Sequence, residues 1–231
     1  MNRNRVSFLV VLFALVVGGC VEERAFYILQ NQAPNESCEV VTDEKSSITS
    51  GLLDISLSPK QGYRLIPLIK NLTASSQEND PQQPERNALD LRELRINIDA
   101  SEIPLEFPSD LLSYSVPTSG VIVPGGVRAV LIEAIKPELL NAVVLPKGVR
   151  PTLHLEVTAV AARLGTNSLI ESSTFNYSVK LCNKCLVQEV LATCPGAEDA
   201  FVSNACGWPQ DTGPVTCCRR GDQDVCIGAA K

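Results

Sequence analysis

Residues 151–182, PTLHLEVTAVAARLGTNSLIESSTFNYSVKLC, contain two runs in which apolar and polar side chains alternate. The first run covers residues 151–161 and places an apolar side chain at every second position from Leu153. The second covers residues 175–181 and begins with Phe175. A two-residue period is typical of a strand with one buried face. Because residues 165–168 form a polar connection between the runs, we predict an antiparallel hairpin.

Five earlier segments also have the composition of strands. They are residues 25–29, 52–57, 63–72, 89–98 and 127–135. Within the fourth, the apolar side chains change phase between Leu91 and Leu94, which predicts a β-bulge near Arg92 and Glu93. Residues 73–87 are polar with two prolines and predict a surface loop, and residues 124–126 (Pro-Gly-Gly) predict a turn. A short helix is predicted for residues 137–145, with Pro137 in its first turn.

About seven strands at these spacings favour an all-β domain over residues 20–181. We predict that it is mainly β, an antiparallel immunoglobulin-like β-sandwich followed by a C-terminal disulfide-rich tail. This architecture is shared by adhesins, chaperones, enzymes and structural modules, so it does not by itself predict an activity.

The tail is predicted from the distribution of the nine cysteines. Apart from Cys20 and the isolated Cys38, the remaining cysteines lie within the last 50 residues. They are Cys182, Cys185, Cys194, Cys206, Cys217, Cys218 and Cys226. Such density in an exported chain is typical of a segment that is stabilised by disulfides because its apolar core is small. Residues 182–231 are therefore predicted to be a disulfide-stapled tail.

The parity of the cysteines predicts one long-range bridge. If Cys20 is set aside, eight cysteines remain, and seven of them are in the tail. One tail cysteine must then pair with Cys38 if all are oxidised, and we predict Cys182 or Cys185. The adjacent Cys217 and Cys218 are predicted to bond to different partners, because disulfide geometry fits a vicinal pair badly.

The motif Cys182-Asn183-Lys184-Cys185 is shared by redox centres, zinc sites and structural disulfides. A redox centre usually places its first cysteine at the start of a helix, where the thiol pKa is lowered. Here the motif follows a predicted strand, and no second close cysteine pair with zinc-ligand spacing accompanies it. We predict structural disulfides, with no metal and no cofactor. A thiol redox or metal-binding role of Cys182 and Cys185 remains the alternative.

No catalytic residue is predicted. His154 is the only histidine and lies in a predicted strand, where a structural or surface role is the usual one. The chain lacks the G-x-S-x-G, H-E-x-x-H and glycine-rich phosphate-loop motifs. A formal net charge of −6, with no basic cluster larger than Arg219-Arg220, argues against a nucleic-acid partner. The prediction is a protein that is not an enzyme.

The first 20 residues have the organisation of an export signal. Arg3 and Arg5 precede an apolar run over residues 6–17, and Gly18-Gly19 precedes Cys20. This run is shorter than the roughly 20 residues that a membrane-spanning helix needs. We therefore predict that residues 1–19 are a signal peptide that is removed.

Residues 15–20, LVVGGC, resemble the lipobox of bacterial lipoproteins. The resemblance implies that a diacylglycerol is attached to the Cys20 thiol, that cleavage occurs before Cys20, and that the new amino terminus is acylated. Two or three acyl chains make a stable membrane anchor. Val21 replaces the aspartate associated with inner-membrane retention in some families, which favours the outer membrane, facing the periplasm or the cell surface.

As a whole, the chain resembles predicted cysteine-rich envelope lipoproteins of unknown function, a resemblance that implies no catalytic or binding residue. The leading hypothesis is a lipid-anchored, non-enzymatic structural or interaction module. Its partners would be the membrane and an envelope or surface protein. A further alternative is a tail that acts as a displayed ligand or inhibitor through residues 219–224.

Overall fold

The computed structural model describes residues 25–35, 39–56, 62–76, 85–191, 210–211, 215–220 and 223–227. These residues are mainly β, with antiparallel and mixed sheets, as predicted at the level of fold class. The predicted signal peptide and the cysteines Cys20, Cys38, Cys194 and Cys206 lie outside the described residues, as do residues 77–84 of the predicted 73–87 loop. Neither described helix is long and apolar enough to be a membrane span.

The strands and helices follow one another in chain order. The first half contains β1 (Phe26–Asn31), β2 (Gly51–Asp54), β3 (Tyr63–Leu65), β4 (Pro67–Asn71), β5 (Leu89–Asp99), α1 (Ser109–Leu112) and β6 (Ser113–Ile122). The second half contains β7 (Val127–Ala129), β8 (Ile132–Ile135), α2 (Pro137–Ala142), β9 (Thr152–Arg163), β10 (Leu169–Glu171) and β11 (Phe175–Cys182). The tail contains β12 (Val187–Leu191), β13 (Val215–Arg220) and β14 (Gln223–Ile227).

The largest sheet has the order β2-β11-β9-β5-β6, and β10 pairs with the end of β9. The predicted hairpin is confirmed, because β9 and β11 are antiparallel neighbours with Leu155 opposite Tyr177. Every apolar position of the quoted β9 pattern is buried. One pairing departs from a purely antiparallel sheet, since β2 runs parallel to β11. Parallel pairing needs a connection longer than a hairpin, and nothing in the local pattern of residues 52–57 predicts it.

The predicted bulge in β5 is confirmed. The register of β5 shifts between Leu91 and Glu93 against both β6 and β9. The extra residue returns the apolar side chains to the inner face, so that Leu91 and Leu94 are both buried. The predicted turn at residues 124–126 is also present, and Gly125 adopts the left-handed conformation with a φ of 69°.

Two predicted strands are each divided in the structure. Residues 63–72 form β3 and β4, which belong to different sheets: β3 pairs with β8, and β4 lies between β1 and β7. The break falls at Ile66, whose N–H donates to Asn31 Oδ1 and whose carbonyl accepts from the Gln32 N–H. Residues 127–135 likewise form β7 and β8 in these two sheets. A continuous apolar run does not show where a strand changes sheets.

β6 was not predicted from the sequence. Among the described strands, it lies at the edge of the large sheet and pairs with β5 alone. Its sequence contains Pro117 and Gly120, which are unfavourable in a central strand but tolerated at an edge. The helix α2 was predicted, with Pro137 in its first turn, but it ends at Ala142 because Val143 is already extended.

A hydrophobic core receives side chains from the β1-β4-β7 sheet and from the large sheet. The β1-β4-β7 sheet contributes Phe26, Ile28 and Ile69, while the β2-β11-β9-β5-β6 sheet contributes residues such as Leu94, Val157 and Val179. Leu139 and Leu140 of α2 close one side of the core. The tail adds a separate three-stranded sheet of order β12-β13-β14, in which β12 and β13 are parallel and β13 and β14 are antiparallel.

Candidate functional site

Cys182 and Cys185 form a disulfide where the domain ends. Cys182 is the last residue of β11, and the two Cα atoms are 5.8 Å apart. The predicted bridge from Cys38 to one of these two cysteines is therefore wrong, because they bond to each other. Lys184 adopts a φ of 58°, a left-handed conformation that turns the chain back toward β11. The odd number of cysteines in the tail does not indicate which of them pair locally, and Cys182 and Cys185 are near enough in sequence to bond to each other.

Two further cysteines of the tail, Cys217 and Cys218, are also disulfide-bonded. Both are fully buried in β13. In the pairing of β13 with β14, the backbone position of Cys217 lies opposite that of Cys226. Disulfide-bonded cysteines thus lie both before and after residues 192–209, which are outside the described residues.

Asp54 is a fully buried carboxylate that holds the Cys182–Cys185 loop. It ends β2 and lies opposite Cys182 in the parallel pairing with β11. Its Oδ1 accepts hydrogen bonds from the Lys184 N–H at 2.9 Å and from both the N–H and the hydroxyl of Ser56. Its Oδ2 accepts from the Leu186 N–H at 2.9 Å. One side chain therefore bonds to backbone groups on both sides of Cys185.

The sulfur atoms and Asp54 form a compact cluster of potential ligand atoms. One carboxylate oxygen of Asp54 and the Sγ atoms of Cys182 and Cys185 all lie within 4.8 Å of one another. Two thiolates and a carboxylate suit zinc, but only after the disulfide is reduced. In the disulfide form, the arrangement fixes the conformation of the loop. The role of Asp54 was not predicted from the sequence. The signal that could have indicated it is an aspartate two residues before Ser56, which is typical of an Asx-turn.

A second attachment of the tail involves Gln210 and Asp211. Gln210 forms an antiparallel bridge with Leu53 of β2, and the Asp211 N–H donates to the Leu52 carbonyl at 2.8 Å. The Gln210 side-chain amide bonds to both the N–H and the carbonyl of Arg64 in β3, each at 2.6 Å. The tail thus reaches the backbones of two strands that belong to different sheets.

A chain of buried hydroxyl groups connects Asp211 to the core. Asp211 Oδ2 accepts from the Tyr63 hydroxyl at 2.6 Å, and Oδ1 accepts from the Leu52 N–H. The Tyr63 and Tyr177 hydroxyls are 3.1 Å apart, and Asn31 Nδ2 donates to the Tyr177 hydroxyl. The order Asp211, Tyr63, Tyr177, Asn31 forms a continuous polar path through an apolar interior.

Burial controls the ionisation of this path. It raises the pKa of Tyr63 well above its usual value and that of Tyr177 to about 12, so both phenols stay neutral. Burial also raises the pKa of Asp211, and the hydrogen bonds from Tyr63 and Leu52 oppose this effect only in part. Since the native state disfavours the charged form of Asp211, the attachment is linked to pH.

His154 lies on the outer face of the large sheet, as a surface histidine. Its Nδ1 is 3.0 Å from the Ser178 hydroxyl on the neighbouring strand, and its Nε2 is 3.9 Å from Glu102 Oε1. Both His154 and Glu102 are about half exposed. β9 is paired on both sides, so its backbone N–H groups are engaged in the sheet. The polar neighbours of the His154 ring are thus Ser178, which lies opposite it in β11, and Glu102, which follows β5.

No protein-family model matches the chain, and no curated protein matches it either.

Proposed function

We propose that the protein is a lipid-anchored lipoprotein of the bacterial envelope that acts as a non-enzymatic structural or interaction module. The observation that carries the proposal is the set of disulfide-bonded cysteines in the tail, Cys182, Cys185, Cys217 and Cys218. Disulfides persist in oxidising compartments outside the cytoplasm. These disulfides agree with the predicted export signal over residues 1–19, which would be removed before Cys20.

The domain is proposed to be an immunoglobulin-like β-sandwich. The order β11-β9-β5-β6 in the large sheet corresponds to strands G-F-C-C′ of a variable-type immunoglobulin domain. The order β1-β4-β7 corresponds to strands A-B-E of the opposing sheet. A core that receives side chains from both sheets supports a face-to-face arrangement. Among the described residues, no strand occupies the position of strand D.

A non-enzymatic role is supported by the way in which the buried carboxylates are used. Asp54 and Asp211 each accept backbone N–H groups from a segment distant in sequence. Both carboxylates hold the tail against the domain, which is the arrangement of a structural clamp. A scaffold of this kind presents a stable surface to a partner in the envelope.

The proposal is tested by the intact mass of the protein extracted with detergent from its native membrane. The expected mass is that of the chain beginning at Cys20 plus acyl groups, with no change after thiol alkylation under denaturing conditions. In the matched variant Cys20→Ser, the acyl mass should be absent. A wild-type mass without lipid would contradict the anchor, and alkylation at two or more cysteines would contradict the disulfide-stapled tail.

A thiol redox or metal-binding role is the second candidate, and the proximity of Asp54 to both sulfurs favours it. In a redox role, the Cys182–Cys185 disulfide would accept two electrons and two protons from a substrate dithiol, which would become a disulfide. A Cys185→Ser change would then abolish oxidation of envelope thiols while the domain remained folded. Under the first proposal, the same change leaves envelope thiol oxidation unaltered.

A further inference from the structure

The chain enters the domain at the same end as several connecting loops. β1 begins at Phe26, which is paired with Asn71 at the end of β4. One residue earlier, the Ala25 carbonyl accepts from the Leu72 N–H at 2.8 Å. The backbone of Ala25 is therefore held beside Leu72.

Asn71 joins three of these loops. It is fully buried, and its Nδ2 donates to the Asn87 carbonyl at 3.1 Å and to the Ile122 carbonyl at 3.0 Å. Its own backbone N–H and carbonyl bond to Gly126 and Gly125, respectively. Residues 71–73, 85–88 and 122–126 are thus held together in one surface.

The connection after β9 completes this surface. The Leu164 N–H donates to the Ala88 carbonyl at 2.9 Å, and the Gly165 N–H donates to the Arg86 carbonyl at 2.8 Å. We call the surface formed by residue 25 together with residues 71–73, 85–88, 122–126 and 163–165 the entry end. The Cys182–Cys185 loop lies at the opposite end, because β9 begins beside it at Thr152 and reaches the entry end at Arg163.

The entry end exposes apolar side chains and basic groups together. Leu72, Val123 and Leu164 are 54%, 57% and 49% exposed. Arg86 is exposed beside them. Arg163 lines a groove with Leu72, and its buried Nε has no hydrogen-bond acceptor among the described residues. Apolar side chains beside guanidinium groups suit the boundary between acyl chains and anionic headgroups.

The length of the linking chain restricts what can lie against this surface. Ala25 follows Cys20 by five positions in the sequence, and an extended chain covers at most about 3.5 Å per residue. Ala25, at the entry end, therefore stays within about 17 Å of the Cys20 backbone, to which the lipid would be attached. β9 has 12 residues. At about 3.3 Å per residue, it separates the opposite end from the entry end by roughly 40 Å.

We propose that the entry end docks on the bilayer, with Leu72, Val123 and Leu164 in the interface and Arg86 and Arg163 on the phosphates of anionic phospholipids. This inference rests on the proposed lipid anchor at Cys20. It adds an orientation: the entry end faces the membrane, and the Cys182–Cys185 loop faces away from it.

The test uses tryptophan fluorescence in the full acylated protein. The change Trp208→Phe first removes the native tryptophan. Single tryptophans are then introduced into this background by Leu72→Trp or Val123→Trp. The matched control is Val144→Trp, because Val144 is 86% exposed and precedes Leu145, whose carbonyl accepts from Asn183 at the opposite end. Each protein is placed in vesicles of phosphatidylcholine and phosphatidylglycerol, with or without brominated acyl chains.

We expect the brominated lipids to quench the tryptophans at positions 72 and 123 at least twofold and to leave that at position 144 unchanged. Vesicle flotation separates the two proposals. Protein that floats with vesicles but shows no quenching at positions 72 and 123, or equal quenching at all three positions, overturns the docked orientation while the anchor stands. Protein that fails to float overturns the anchor itself and the docking with it.

Discussion

Among the described residues, the tail is attached to the domain in two places that differ in the kind of contact they use. At the Cys182–Cys185 loop, Asp54 accepts hydrogen bonds from the N–H groups of Lys184 and Leu186, which directly follow β11. A disulfide closes the same short segment. Asp211 lies later in the tail, where its carboxyl group accepts hydrogen bonds from the Tyr63 hydroxyl and from the Leu52 N–H of β2. The first attachment is secured by both a buried carboxylate and a disulfide, whereas the second depends on hydrogen bonds to Asp211, a partly buried carboxyl group whose pKa is raised.

The largest effect should come from removing the carboxylate of the first attachment. We expect Asp54→Ala to lower the free energy of unfolding by about 3–5 kcal/mol, because the backbone N–H groups of Ser56, Lys184 and Leu186 all lose their charged acceptor. Chemical denaturation measures this. Asp99 is a matched control, since it also ends a strand and accepts the N–H two residues later but is exposed. Similar losses for Asp54→Ala and Asp99→Ala would contradict the importance of burial.

The second attachment should be weakened by Tyr63→Phe. Removal of this hydroxyl leaves Asp211 Oδ2 with one donor fewer in a buried site, at an expected cost of about 1–3 kcal/mol. Hydrogen exchange of the Leu52 and Asp211 amides should accelerate. Tyr177→Phe is the comparison, because the Tyr177 hydroxyl does not contact Asp211 directly. If Tyr177→Phe accelerates these two amides as much as Tyr63→Phe does, Asp211 is not the point of attachment.

Opening the disulfide should have a smaller effect than removing Asp54. Closure of a loop this short stabilises by at most about 2 kcal/mol in the chain-entropy model, and the bonds to Asp54 hold the loop without it. We expect the double change Cys182→Ser and Cys185→Ser to lower the denaturation midpoint less than Asp54→Ala does. A larger loss than for Asp54→Ala would show that the disulfide, and not the carboxylate, secures the loop.

The pH dependence of the second attachment should be the smallest effect. Because burial raises the pKa of Asp211, its stabilising contribution is fully present below the unfolded pKa of about 4 and is lost as pH rises through the folded pKa. The stability of wild type relative to Asp211→Asn should therefore fall as pH rises from about 3 toward neutrality. A difference in stability that stays constant across this range would contradict the linkage.

Much of the domain was predictable because the relevant signal is local. Apolar and polar residues alternate in residues 151–161 and 175–181 because one face of each strand lies against the core. The phase of this alternation changes after Leu91 because the β-bulge adds one residue there. β6 was not predicted because its composition, with Pro117 and Gly120, is unfavourable for a strand. These residues are tolerated because β6 lies at the edge of the sheet. The division of residues 63–72 at Ile66 escaped it as well, since the competing hydrogen bonds come from Asn31 and Gln32 in another strand.

The class of the fold, the hairpin of β9 and β11, the bulge in β5 and the first turn of α2 follow from the amino-acid sequence alone, because side-chain period and proline geometry act between near neighbours. The Cys182–Cys185 bond, the parallel pairing of β2 with β11, and the contacts of Asp54 and Asp211 that hold the tail follow only from how the chain packs. Asp54 lies 132 residues before Leu186, and Tyr63 lies 148 residues before Asp211. Contacts at such separations depend on which surfaces pack together, and no local pattern in the chain encodes that choice.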